Sequence, residues 1–107
     1  MRIVAFVTDL MDRSKIEPLG DVTFARDPSQ AVGADVVIVD LAKHAALVPL
    51  VRAAAPGTRV VAFGRHTDAR ALQQAVSDGA DAALPRSGFF ADPRAALGLD
   101  GQTSGQG

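Results

Sequence analysis

Three short runs, Ile3–Val7, Val36–Val39 and Val60–Phe63, are apolar almost throughout and rich in β-branched residues. A half-exposed strand alternates apolar and polar side chains. A run without alternation is buried on both faces, as in a parallel sheet covered by helices. Two weaker runs, Val22–Ala25 and Ala82–Leu84, read as further strands. Helical patterns fill the spaces between them. Leu47, Leu50, Val51 and Ala54 fall at i, i+3, i+4 and i+7 and predict one apolar helix face. Pro49 fits the first turn of that helix, and Pro56–Gly57 ends it. The next helix is capped by Thr67 or Asp68, striped by Leu72, Ala75 and Val76, and closed by Gly79 in the left-handed conformation. Other connections leave little room. Pro18 and Gly20 interrupt the stretch from Asp9 to Asp21, only Pro28 to Val32 can wind between Asp27 and Asp35, and Pro93 divides the last apolar stretch. Strands alternating with helices imply a parallel sheet with helices on both faces.

Composition limits what such a sheet can be used for. At 107 residues the chain holds one compact domain, read as 1–98, followed by a flexible tail, 99–107, because Gly101 to Gly107 contains no apolar residue. The absence of Cys removes thiol catalysis and thiolate metal sites. Eleven Lys and Arg against twelve Asp and Glu give a net charge of −1, which supplies no general attraction to nucleic acid or to an anionic membrane. No apolar run reaches the ~18–20 residues of a membrane helix, and the apolar start is too short for a signal peptide. A cytoplasmic location is therefore expected. The five aromatic residues are all Phe, which leaves little material for base-stacking platforms. No Gly-x-Gly-x-x-Gly, Walker loop or Gly-x-Ser-x-Gly elbow occurs. The two histidines, His44 and His66, have no third ligand at useful spacing for zinc.

From Asp35 to Arg86 the sequence resembles a response-regulator receiver domain, the flavodoxin-like module of two-component signalling and phosphorelay. Asp35–Val36–Val37–Ile38–Val39–Asp40–Leu41 is similar to the third receiver strand, which ends in the phosphoacceptor aspartate. Val60–Val61–Ala62–Phe63 is similar to the fourth. The stretch from Ala75 to Arg86, with its Gly79–Ala80–Asp81 turn, is similar to the helix end and fifth strand that deliver the family's lysine. The resemblance implies a three-layer α/β fold with five parallel strands in the order 2-1-3-4-5. It covers about half the chain well, and the rest by order of elements.

In that family an acidic pair after the first strand holds Mg²⁺ together with the phosphoacceptor, because a hard cation takes oxygen ligands. A Thr or Ser ending the fourth strand binds the phosphoryl oxygens, and a lysine neutralises them. Here the resemblance assigns Asp40 to the phosphoacceptor and Thr8–Asp9 to the acidic region, with one acid, Asp9, present. Gly64 stands where the hydroxyl belongs, Arg65 where a small residue belongs, Arg86 in place of lysine and Ala83 in place of the switch aromatic. Ala42–Lys43–His44–Ala45–Ala46 replaces the Met-Pro-x-x-x-Gly loop.

Each residue carries two readings. Asp40 either accepts phosphate or caps the strand end and pairs with Arg86 or Arg65, a pairing that would lower its pKa. Asp9 is either a metal ligand or the N-cap of a helix beginning near Leu10. Phe89 and Phe90 form either an exposed interaction surface or a cover for the sheet edge. The resulting expectation is an atypical, stand-alone receiver-like module, not an enzyme. It works by protein–protein contact with a regulatory or signalling partner, or as a homodimer, and without regulated phosphorylation. No cofactor is expected, and Mg²⁺ only where phosphorylation is retained. Two alternatives stay open. One is a functional single-domain response regulator phosphorylated at Asp40, with Asp9 and Asp40 as metal ligands. The other is a small α/β domain that grips an anionic ligand near Thr8 and Gly64 with Arg65, His66 and Arg86.

Overall fold

The computed structural model describes residues 1–99. Its strands are β1 (Arg2–Phe6), β2 (Asp21–Phe24), β3 (Val36–Asp40), β4 (Arg59–Gly64) and β5 (Ala82–Pro85). Its helices are α1 (Leu10–Ile16), α2 (Leu41–His44), α3 (Leu47–Ala54), α4 (Ala69–Ser77), α5 (Arg86–Ala91) and α6 (Pro93–Ala96). All strand pairs are parallel, in the order β2-β1-β3-β4-β5. Register is set by the apolar runs: Ile3 faces Val36, Val37 faces Val60, and Val61 faces Ala82.

Successive strand residues point to opposite faces, so the unbroken runs feed two cores. One face carries Val4, Phe6, Val37, Val39, Val60 and Ala62 under α3 and α4. The other carries Ile3, Ala5, Val7, Ile38, Val61 and Phe63 under Ile16, Phe89, Leu97 and Leu99. The cramped connection between β2 and β3 is a single 3₁₀ turn, Pro28–Ala31, held by a capping box between Asp27 and Gln30.

Several expectations need correction. In α3 the buried residues are Val48 and Val51, while Leu50 is 53% exposed. Val51 is buried as the spacing implies and Leu47 packs against the same core, so the face is turned by less than one residue, enough to bring Val48 in and leave Leu50 out. In α4, Ala75 meets the sheet and Val76 is exposed. Leu99, assigned from sequence to the tail, is buried in the second core. The remainder of that tail lies outside the described residues. Asp68 caps α4 through the Ala71 N–H, and Gly79 closes it at φ +123°.

Candidate functional site

The carboxyl ends of parallel strands are where α/β folds present side chains to a ligand. Asp40 is the last residue of β3 and is only 3% exposed. Its Oδ1 accepts a hydrogen bond from the Ala42 N–H at 3.1 Å, which makes it the N-cap of α2. Burial raises its pKa above the usual aspartate value of 3.8; the Ala42 hydrogen bond and the nearby Arg86 charge oppose that rise without cancelling it.

Arg86 does not pair with Asp40. It opens α5, and both its terminal nitrogens donate to Asp12: Nη1 to Oδ2 at 3.0 Å and Nη2 to Oδ1 at 2.7 Å. A planar fork meeting a carboxylate in this way is the strongest geometry open to the pair. The Asp12 hydrogen bond raises the Arg86 pKa further. The expected depression of Asp40 by a partner cation is therefore reversed: the fork is spent on another acid, and desolvation dominates at Asp40.

The sequence motifs do not single out Asp12. Asp9 is exposed and caps α1, accepting the Asp12 N–H at 3.0 Å. The acid three residues later is turned inward and is 2% exposed. The signal was present in the spacing. Asp12 lies four residues before Ile16, on the same helix face, and Ile16 is fully buried.

Gly64 ends β4. A Cβ there would meet Leu41 and Leu72 at 3.4 Å, an ordinary contact, so neither space nor backbone demands glycine. Thr8 is exposed and lines neither of the two cavities described next. A cavity of about 420 Å³ is lined by Lys15, Arg65, His66, Thr67, Arg86, Ser87 and Phe90. A smaller one, about 270 Å³, lies along Leu41, Ala42, Gly64, Arg65, Asp68 and Ala71. The structure thus brings Arg65, His66 and Arg86 together and adds Lys15, Thr67 and Ser87. His44 sits at the end of α2, and its Nε2 is buried with no hydrogen-bond partner.

The aromatic pair is also corrected. Phe89 is fully buried, and Phe63, Phe89 and Phe90 form a triangle with ring centroids 4.9–5.1 Å apart. Phe89 is core, and only Phe90 reaches the surface, half-buried. Large apolar side chains are instead exposed at Leu10 and Met11, 78% and 69% in solvent in the first turn of α1.

The carboxylates that the resemblance implies for Mg²⁺ are engaged with other partners in this arrangement. Among the described residues no group of three His, Asp or Glu side chains is placed to hold a metal ion. Asp9 is turned to its own helix, and both oxygens of Asp12 are held by Arg86.

No family model matches the sequence, and no curated protein matches it. Among solved structures, the chain is similar to the crystal structure of a response regulator protein from Burkholderia pseudomallei with a phosphorylated aspartic acid, calcium ion and citrate. The TM-score is 0.70 at 19% sequence identity, over 98% of this chain and 71% of that one. Likeness at that identity speaks for the fold. With five parallel strands in the order 2-1-3-4-5 between two layers of helices, the chain has the fold of a response-regulator receiver domain.

Proposed function

We propose that this chain is a receiver-fold signalling module that acts through protein contacts and not through regulated phosphorylation of Asp40. The observation that carries this reading is the Arg86–Asp12 pair. Phosphoryl transfer to an aspartate needs a cation beside the acceptor and a divalent metal held by neighbouring acids. Here the cation is bound to the acid that would otherwise be free for a metal, and the module holds its own charges closed. Asp40 is buried, and its Oδ1 is occupied in accepting the Ala42 N–H as a helix cap. Gly64 offers no hydroxyl to a phosphoryl group, although a Cβ there would meet only ordinary contacts.

Contact with a partner has a candidate surface at Leu10 and Met11, two consecutive apolar residues left in solvent on the helix that carries Asp12. The deciding experiment is an NMR titration of the full chain with Mg²⁺ and beryllofluoride, which mimics the aspartyl phosphate. The amide signals of Asp40, Ala42, Gly64 and Arg86 are expected to stay unmoved. Saturable shifts at those positions would overturn the reading and restore the phosphorylated alternative.

A further inference from the structure

The cavity on the α5 side of the sheet is built from positive charge. Of its lining residues, Lys15, Arg65 and Arg86 are cationic and none is acidic. The acids near Arg86, namely Asp9, Asp12 and Asp40, are not among the residues that line it. Asp12 offsets one charge of the set, that of Arg86. Among the described residues neither Lys15 nor Arg65 has a carboxylate partner. Like charges gathered without counterions repel each other, so they are left together at a cost that a bound anion would relieve.

The rest of the lining adds discrimination. Thr67 and Ser87 contribute hydroxyls whose side chains make no hydrogen bond among the described residues. Phe90 forms an apolar wall, with the Lys15 Nζ at 5.2 Å and the Arg86 guanidinium at 5.3 Å from its ring centroid. Cations on an aromatic wall with two free hydroxyls suit an anion that also carries an apolar part. The volume, about 420 Å³, falls within the range of about 300–1,000 Å³ usual for small-ligand sites.

We propose that this cavity binds a small phosphate monoester: Lys15 and Arg65 hold the phosphate, Thr67 and Ser87 donate to its oxygens, and the organic part lies against Phe90 beside the Asp12-paired Arg86. Asp40 does not line the cavity, and signals at Arg65, Thr67 and Ser87 are distinct from those at Asp40, Ala42 and Gly64 that test the reading above, so the two fail separately.

The test is a ¹⁵N NMR and calorimetric titration of the full chain with phenyl phosphate, with inorganic phosphate and phenol as the separate halves of that probe. Phenyl phosphate is expected to shift Arg65, His66, Thr67 and Ser87 saturably and to bind at least about fivefold more tightly than inorganic phosphate. Lys15→Ala and Arg65→Ala remove exposed side chains and leave the cores untouched; each is expected to weaken binding about fivefold or more, with increasing salt acting in the same direction. No saturable shift up to about 10 mM probe would overturn the proposal. So would equal affinity for inorganic phosphate, which would mark a site for the bare ion, or affinity unchanged in both variants.

Discussion

Asp40 combines two demands that oppose each other. Its carboxylate caps α2, which favours an acceptor of any charge, and it is buried, which disfavours the ion. Because its folded-state pKa is raised, the unfolded chain ionises first as pH rises. Stability linked to Asp40 is therefore full below about 3.8 and is lost as pH climbs through the raised folded value. Asn keeps the oxygen acceptor and removes the charge. Asp40→Asn is thus expected to raise the thermal midpoint at neutral pH, with the gain shrinking as pH falls into the carboxylate range. Melting curves of both proteins across that range check it, and a variant less stable at neutral pH contradicts it. At this scale the sequence located Asp40 at a strand end and Arg86 across from it, but not their partners. Apolar runs name the strand that a residue ends, whereas the choice of Asp12 over Asp40 for Arg86 is decided by helix rotation, which no run of residues encodes directly.

Among the elements, the join between α3, β4 and β5 rests on Arg52. Its Nε donates to the Gly79 carbonyl at 2.9 Å, and its Nη1 to those of Pro56 and Thr58 at 2.8 and 2.7 Å. Its Nη2 meets Asp81 at 2.8 Å, and Asp81 in turn accepts the Val60 N–H, the largest cause of its lowered pKa. One side chain so ties a helix end to the loop before β4 and the turn before β5. Arg52→Ala is expected to cost about 2 kcal/mol, since charge-assisted bonds to carbonyls are among the stronger ones. Gly79 is fitted to the same side chain. Its φ of +123° and a Cβ that would fall 2.7 Å from the Arg52 Cγ both exclude a larger residue. Gly79→Ala is expected to cost about 2 kcal/mol alone and measurably less in the Arg52→Ala background, where the Cγ contact is gone and the side chain no longer holds the remaining Cβ, 2.8 Å away, in place. Denaturant titration of the two single variants and the double reads this coupling, and strict additivity would refute it. The glycine's backbone role was legible because it stands one turn past an apolar stripe. The arginine's role was not, because its partners are carbonyls and any residue supplies a carbonyl.

Across the whole molecule, the two cores are assembled from residues far apart in the chain, and the Asp12–Arg86 pair spans 74 positions to link the first helix to the end of the last strand. Its two members are unequally placed: the Asp12 side chain is 3% exposed and that of Arg86 is 41% exposed. The inequality gives the pair a directional signature. Removing Arg86 strands a carboxylate where water cannot reach it, and breaking a buried pair in this way costs about 3 kcal/mol, the low end of the usual range because one partner is half in solvent. Removing Asp12 frees a guanidinium that can turn outward, so Asp12→Ala should cost clearly less than Arg86→Ala. The double variant, which strands no charge, should be more stable than Arg86→Ala alone. Urea titrations of the four proteins measure both differences. Equal costs for the two single variants, or a double variant no more stable than Arg86→Ala, would mean that the pair is a surface contact of little weight and not the clasp that holds the site closed.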